Sequence, residues 1–498
     1  MRKIKEEQMN FGEVDISQIK FDLKSRDEIP QLLAGLQYIY CTPQLKEDVF
    51  SLLRKHIKIS KKGRRGMDLW NILVLGVVRL NCNWDYDKLK EMSDNHSTIR
   101  QMMGLTPFEN EDKFPLQTLR DNVSLLTPEL LNEINTIVVK AGQNLIKKKD
   151  EEIKARCDSF VLETNVHYPT DTNLLMDSVR KAVEIVAKLC DENNISGWRQ
   201  YAYQLAEFKK LLRICQKIRK STSKDPEKQK AKKNKNKQAH CDYMNKAEEL
   251  FIRAEDSLMQ LRAMGSDGML ISQISCAEAF MNDGVKLIDQ IQRRVINGEK
   301  IPHEEKLFSL FQRHTEWICK GKAGVPQELG KRLCIIEDQH GFVLSHEVMD
   351  RLVDTDIAIP FIEKVKNLFP KLYSCSFDKG FWSPENKKNL EGIINIALPR
   401  KGRLTREAQI YENSSEFTEA KKKHSAVESC INALENHGLD HCPDCGIKNL
   451  ERYVSLAVLG RNTQKLGSVL LTKQKKKQKH SEKIKEGLRR RASILTAA

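Results

Sequence analysis

The sequence contains no uninterrupted apolar run of eighteen residues, and its first residues, Met-Arg-Lys-Ile-Lys-Glu-Glu, include no apolar segment. We therefore expect neither a membrane-spanning helix nor a Sec-type signal peptide. A paired cysteine framework is also missing, because the thirteen cysteines are scattered and odd in number. That usage is typical of reduced thiols in the cytoplasm. With 40% hydrophobic and 31% charged residues over 498 positions, the chain is expected to form about two to four globular domains.

Positive charge is concentrated in a few segments. Lysine and arginine number 84 against 68 aspartates and glutamates, a net charge of +16. Residues 213–237 contribute +9 and residues 473–491 contribute +8, while residues 54–65 hold seven basic residues and no acidic one. Three such clusters favour a nucleic acid as the partner, with a solvated linker as the alternative for any single run. The side chains predicted to contact nucleic acid are Lys61, Lys62, Arg64, Arg65, Lys232, Lys233 and Lys235.

Hydrophobic patterning predicts how the chain is organised. Residues 1–145 form a predicted N-terminal helical domain, which could be a helix-turn-helix DNA reader or a plain helical bundle. Residues 173–300 are predicted to be an antiparallel helical pair joined by an exposed lysine-rich link around 221–238, and residues 471–498 a basic tail. Short β-type runs between and after these parts predict an α/β domain with a large helical insertion. Those runs are 153–166, 332–349, 372–378 and 393–398.

Three acidic residues are candidates for chemistry. Asp158 lies in the first predicted strand, and Asp378 ends the strand that begins at Leu372, where α/β folds commonly place their sites. Glu428 lies one position beside the apolar stripe of a predicted helix. Three carboxylates form the hard oxygen ligand set that Mg²⁺ or Mn²⁺ prefers, and two such ions can activate an attacking oxygen and stabilise a leaving one. With 68 acids in the chain, three surface carboxylates remain the alternative interpretation.

Several blocks, in order along the chain, resemble DDE transposases of bacterial insertion sequences, specifically the ISNCY group related to the InsH-like set. The first catalytic block is matched by ETNVHYPTDTNLL (163–175), which follows Asp158. The segments HTEWICKGKAGVP (314–326) and EDQHGF (337–342) are similar to the ISNCY group. The second and third blocks are matched by DKGFWSPEN (378–386) and HSAVESCINALENHGLD (424–440), but the Tyr-Arg-Glu-Lys signature of some relatives is not reproduced.

This resemblance implies an α/β catalytic domain of the RNase H-like (retroviral-integrase-like) fold with a large helical insertion, plus the N-terminal helical domain. The catalytic domain would comprise residues 146–172 and 301–470, and residues 1–145 would bind the element ends. The family's catalytic and metal-binding acids fall on Asp158, Asp378 and Glu428. Between the first two lie 220 positions, which the insertion accounts for, and 50 separate the second from the third.

The function implied is a transposase that cleaves DNA at insertion-sequence ends and joins the 3′-hydroxyl to target DNA by two-metal phosphoryl transfer. The implied cofactor is Mg²⁺ or Mn²⁺, as two ions. The implied partner is double-stranded DNA, both element ends and target, with a homodimer in the DNA complex and no membrane. We expect the protein to act in the bacterial cytoplasm, associated with the nucleoid. The alternatives are a structure-specific nuclease of the same fold and a catalytically inactive DNA-binding relative.

A second constellation could bind metal. Cys442 and Cys445 form a single CxxC motif near His437 and His441. A structural zinc site needs four ligands, usually from two such pairs, so the motif alone leaves zinc open as a weaker hypothesis.

Overall fold

The computed structural model describes residues 13–58, 66–105, 113–146, 151–220, 225–265, 267–319 and 327–496. The chain divides into two compact units. Unit 1 comprises Met1–Asn165 and Gly330–Ala498, and unit 2 comprises Val166–Leu329. Among the described residues, no helix combines the length and the apolar character needed to cross a membrane.

Helices form the first part of unit 1, as predicted for residues 1–145. The third of them, α3, is buried along all thirteen residues. A helix buried on every side has no face to place in a DNA groove, so α3 is not a recognition helix. The helices are α1 (Glu28–Cys41), α2 (Pro43–His56), α3 (Leu69–Asn81), α4 (Tyr86–Asn95), α5 (Ser97–Met103), α6 (Leu116–Val123) and α7 (Pro128–Ile146).

A mixed sheet forms the centre of unit 1. Strand β3 runs antiparallel to β1 on one side, and β5 runs parallel to β1 on the other. Outside these, β4 pairs with β3, β6 pairs with β5, and β7 continues beside the end of β1. The predicted strands and the predicted β3–β4 hairpin are confirmed. The strands are β1 (Ile153–Thr164), β2 (Glu316–Cys319, in unit 2), β3 (Gln327–Asp338), β4 (Val343–Met349), β5 (Leu372–Phe377), β6 (Asn395–Ala397) and β7 (His441–Cys442).

Helices follow and cover the sheet. Helix α16 packs on β1 and buries Val427 and Leu434 of its predicted apolar stripe, together with Cys430, while Ile431 of the stripe is half-buried. The final helix, α17, contains the predicted basic tail as its distal part, with residues 472–485 exposed. These helices are α12 (Asp354–Leu368), α13 (Pro384–Glu391), α14 (Arg406–Glu412), α15 (Ser415–His424), α16 (Ala426–Leu434) and α17 (Ile447–Thr496).

The N-terminal helices share one core with the C-terminal helix. Helices α1, α3 and α7 all pack against α17, and their buried leucines, valines and isoleucines belong to the same cluster as those of the sheet. The contact between α1 and α17 is close enough to require glycine. A Cβ on Gly467 would lie 1.7 Å from the carbonyl oxygen of Gln31. Residues 1–145 are therefore part of unit 1 and do not have a core of their own, in contrast to the predicted separate domain.

Gly467→Ala should destabilise unit 1 by about 3 kcal/mol, because the added methyl group meets backbone that can move only if α1 shifts. Denaturant unfolding of the full chain measures this change. The control is Gly268→Ala, whose added methyl would meet no atom within 4 Å. An unchanged unfolding midpoint for Gly467→Ala would contradict the close packing of α1 on α17.

Unit 2 is helical and has its own core. In the described part of unit 2, four α-helices, rather than the predicted pair, bury residues such as Val179, Phe208 and Tyr243. From Pro226 onward the predicted lysine-rich link is helical, while residues 221–224 lie outside the described residues. Asp225 caps a helix that starts at Pro226, and the lysines, glutamine and alanine that follow are good helix formers. The helices are α8 (Asp171–Glu192), α9 (Tyr201–Lys220), α10 (Pro226–Ala263) and α11 (Gly268–Ile291).

Candidate active site

Two of the predicted acids are brought together by the pairing of β1 with β5. These strands are parallel, and Cys157 lies opposite Phe377 in their register. The residues that come next, Asp158 and Asp378, are therefore neighbours at about the 4.8 Å spacing of adjacent strands. Asp158 is partly buried, whereas Asp378 is exposed at the strand end. The sheet thus places side by side two carboxylates that are 220 positions apart in sequence.

The third acid reaches the same place from α16. Glu428 lies in the first turn of this helix, is exposed, and follows the buried Val427. Its carboxylate acts electrostatically on Asp158, as does that of Asp378. Asp378 and Glu428 therefore both lie within electrostatic range of Asp158, where β5 ends beside the middle of β1.

Asp158 holds its proton unusually well. Burial, together with the smaller effects of the carboxylates of Asp378, Asp354 and Glu428, raises the pKa of Asp158 from 3.8 to about 6. The backbone N–H of Ser159, which donates to Asp158 Oδ1 at 2.7 Å, opposes the rise. A nearby cation would strongly stabilise the ionised form of a partly desolvated carboxylate that lies among other carboxylates.

Asp158→Asn should therefore stabilise the protein without added metal at pH above 6. Because the folded-state pKa lies above the ordinary value, ionised Asp158 destabilises the fold above about pH 6, and this effect disappears as the pH falls toward 3.8. The difference corresponds to at most about 3 kcal/mol. Denaturant unfolding in the presence of a chelator should show a higher midpoint for Asp158→Asn at pH 7.5 and a smaller difference at pH 4. Equal midpoints at pH 7.5 would contradict the raised pKa.

A fourth carboxylate lies near the site, and the sequence did not predict it. Asp354 begins α12 and is partly buried. The hydroxyl of Ser159, the residue after Asp158, donates to Asp354 Oδ1 at 2.7 Å. An acid in the first turn of a helix is usually explained by the helix dipole, so the sequence carried no signal of this contact.

A histidine adjoins the acids on the same face of the sheet. His424 Nδ1 is hydrogen-bonded to Ser376 Oγ at 3.0 Å, and Ser376 lies two residues before Asp378 on β5. Burial lowers the pKa of His424, although the carboxylates of Asp378 and Glu428 oppose this. On the neighbouring strand Arg156 donates to Glu337 at 2.9 Å, a pair that is largely buried.

The donor chemistry of the site suits a divalent cation. Asp158, Asp378 and Glu428 offer carboxylate oxygens, and the raised pKa of Asp158 reflects its burial first and then the neighbouring negative charge that a cation would neutralise. In the described part of the chain, however, no three His, Cys, Asp or Glu side chains are arranged as a ready-made metal site. Closure around an ion would therefore require side-chain movement, chiefly of the exposed Asp378 and Glu428.

The CxxC motif has a structural contact instead of a metal-site arrangement. Cys442 is buried, and burial raises the pKa of its thiol to about 12, which disfavours the thiolate that zinc needs. Cys445 and His441 are exposed, and buried His437 is hydrogen-bonded to the carbonyl of Asn81. Within the motif, Asp444 forms a buried ion pair at 3.0 Å with Arg79 of α3.

The predicted nucleic-acid contacts fall in two places. Lys61, Lys62, Arg64 and Arg65 lie outside the described residues. Lys232, Lys233 and Lys235 lie in the first turns of α10, where residues 225–238 are largely exposed. Lysines also end α15 beside the acids, at Lys421, Lys422 and Lys423. Positive charge is thus presented both on unit 2 and next to the acids of unit 1.

Comparison of the chain with protein-family models, with curated proteins and with solved structures finds no match.

Proposed function

We propose that this chain is a DDE transposase of the ISNCY, InsH-like kind, which cleaves DNA at insertion-sequence ends and joins the freed 3′-hydroxyl to target DNA. One observation carries the proposal. Of the three acids that the resemblance singles out, from segments 220 and 50 positions apart, Asp378 and Glu428 both lie within electrostatic range of Asp158, beside the middle of β1. Three unrelated surface acids would not be expected to meet in this way.

The proposed fold of the catalytic part is RNase H-like. The support is a mixed sheet in which β1, carrying Asp158, is central, with an antiparallel neighbour on one side and a parallel one on the other. Helices pack on this sheet, and α16, which contacts β1, carries Glu428. The helical insertion, unit 2, follows β1 directly.

We propose Mg²⁺ or Mn²⁺ as the cofactor, held as two ions by Asp158, Asp378 and Glu428. When bound, these ions would supply Lewis-acid stabilisation of the attacking and leaving oxygens. The chain itself would hold Asp158 on β1, Asp378 at the end of β5 and Glu428 on α16. It would also keep the Asp158 carboxylate partly buried. Lysines around the site offset the charge of the DNA backbone.

The proposed reaction has two displacements at phosphorus. In the first, water attacks at the element end, the P–O3′ bond breaks, and a 3′-hydroxyl is released. In the second, that hydroxyl attacks a phosphorus of the target strand and another P–O3′ bond breaks. A homodimer in the DNA complex is proposed because an element has two ends, each needing one site. The setting proposed is the bacterial cytoplasm, at the nucleoid.

The deciding experiment uses the full chain, linear DNA carrying the flanks of its reading frame, and Mg²⁺. Short inverted repeats in those flanks should be bound, nicked at the 3′ ends and joined to a target plasmid. Cleavage without joining would favour a structure-specific nuclease of the same fold. Binding without cleavage would favour a catalytically inactive relative.

A further inference from the structure

We propose that His424 is a further catalytic residue of this site, the general base that accepts the proton of the attacking oxygen. The inference rests on the proposed function, since it assigns a role in the same phosphoryl transfer. His424 has no role in an interpretation based on the three acids alone.

The position of His424 is set by two elements. It is the last residue of α15, and Ser425, whose backbone stays near helical values, connects it to α16. Glu428 therefore follows about one helical turn later, on the same side. The hydrogen bond between His424 Nδ1 and Ser376 Oγ ties the ring to β5, two residues before Asp378. The imidazole thus lies within electrostatic range of Asp378 and Glu428.

The hydrogen bond to Ser376 engages Nδ1, so Nε2 is the nitrogen that remains for a reacting group. A base at Nε2 requires the tautomer in which Nδ1 carries the proton and donates to Ser376 Oγ, and this tautomer is part of the proposal. The ring is half-buried, so its direction is defined by packing as well as by the hydrogen bond. A base must be oriented in this way to reach a proton at a defined oxygen.

Burial favours the neutral form of the ring, and the charged groups that face it act in both directions. Burial acts first and Arg156 acts in the same direction, both lowering the pKa of His424, while Asp378 and Glu428 oppose them. Lys423, the preceding residue, is paired with Glu419 at 2.5 Å. An imidazole that is unprotonated near neutral pH is able to accept a proton.

The step balances as follows. The water oxygen forms a bond to phosphorus while the P–O3′ bond breaks, and the departing 3′-oxygen keeps the electron pair. One proton of the water passes to Nε2 of His424, and the 3′-oxygen takes a proton from solvent. The imidazolium then releases its proton to solvent. In strand transfer the same nitrogen takes the proton of the attacking 3′-hydroxyl.

The test compares single-turnover cleavage of end DNA by the wild type, His424→Gln and Ser376→Ala, with DNA binding measured separately. Glutamine can keep the bond to Ser376 but cannot accept a proton at neutral pH. His424→Gln should lower cleavage by about 10²–10⁴-fold with unchanged DNA binding and unfolding temperature. Ser376→Ala should lower cleavage less, because the ring remains but is no longer oriented. The control is His441→Gln, at an exposed histidine of the same unit, which should match the wild type.

A modified substrate separates the roles of base, acid and support. In DNA whose bridging 3′-oxygen is replaced by sulfur, tested in Mn²⁺, the leaving group needs no proton donor. The defect of His424→Gln should persist on this DNA, since the attacking oxygen still lacks its base. Recovery to the wild-type rate would mean that His424 is an acid and would overturn the proposal. So would weakened DNA binding or a lowered unfolding temperature that accounts for the loss.

The two proposals fail separately. If the wild type cleaves end DNA and His424→Gln cleaves equally well, only the role of His424 is overturned. If the wild type and Asp158→Asn are equally inactive on every end DNA, both the proposed function and the role of His424 are overturned.

Discussion

Asp158→Asn, Asp378→Asn and Glu428→Gln should each lower DNA cleavage by at least about a thousandfold, while binding to element ends stays nearly unchanged. Each change keeps the shape of the side chain and removes the negative charge that would hold a cation. Because the three carboxylates act as one ligand set, the losses should not be additive. Single-turnover cleavage in Mg²⁺ and a separate binding measurement provide the two readouts.

The matched control for this set is Glu435→Gln. Glu435 is exposed and lies seven residues after Glu428, just beyond α16. It should cleave at the wild-type rate. If a variant of one of the three acids also cleaves at the wild-type rate, that acid is not part of the site. If a variant loses DNA binding as well as cleavage, the loss indicates misfolding.

The second large effect concerns salt dependence. Changing five exposed or half-exposed lysines of α10 to glutamine should weaken binding to any DNA and flatten the log–log salt slope by up to ~4, if all five contact phosphate. Lysine supplies a point charge and little base discrimination, so preference for element ends should persist. Titrations of end DNA and scrambled DNA at several salt concentrations measure both quantities. The lysines are Lys228, Lys230, Lys232, Lys233 and Lys235.

The control keeps the charge and changes the group. The same five positions as arginine should bind DNA at least as tightly as the wild type. An unchanged salt slope in the glutamine variant would mean that this part of α10 is only a solvated helix. Removing residues 1–145 is not a usable counterpart, because α1, α3 and α7 share the core of α17 and their loss would expose it.

Local patterns in the sequence predicted most of the sheet. Alternating or continuous apolar runs identify β1, the β3–β4 hairpin and β5, since strand side chains repeat every second residue. The carboxylates at the ends of such strands could be proposed for the same reason. The register that makes Asp158 and Asp378 neighbours depends on residues far apart in the sequence. Only the family resemblance indicated that these two acids belong to one site.

Three features could not be predicted from local pattern. The lysine run of α10 has few apolar residues that would reveal a helical period, so its composition is also typical of a linker. In the structure Asp225 caps the start of this helix. Asp354 lies 195 positions from Ser159, to which it is bonded, and only folding brings them together. The same holds for Gly467, whose need for a small side chain depends on α1, more than 400 residues earlier.

The insertion between β1 and its partner strand has a consequence for synthesis. During translation Asp158 emerges early, but β3 can pair with β1 only after the whole of unit 2 has been made, and Glu428 comes 50 residues after Asp378. Unit 2 has its own core, so it can fold while the ribosome is still working and shorten the loop that β1 and β3 must close. A chain arrested before residue 428 therefore carries the basic helix but not the full acid set. Under the proposed function, such a fragment would bind DNA without cutting it.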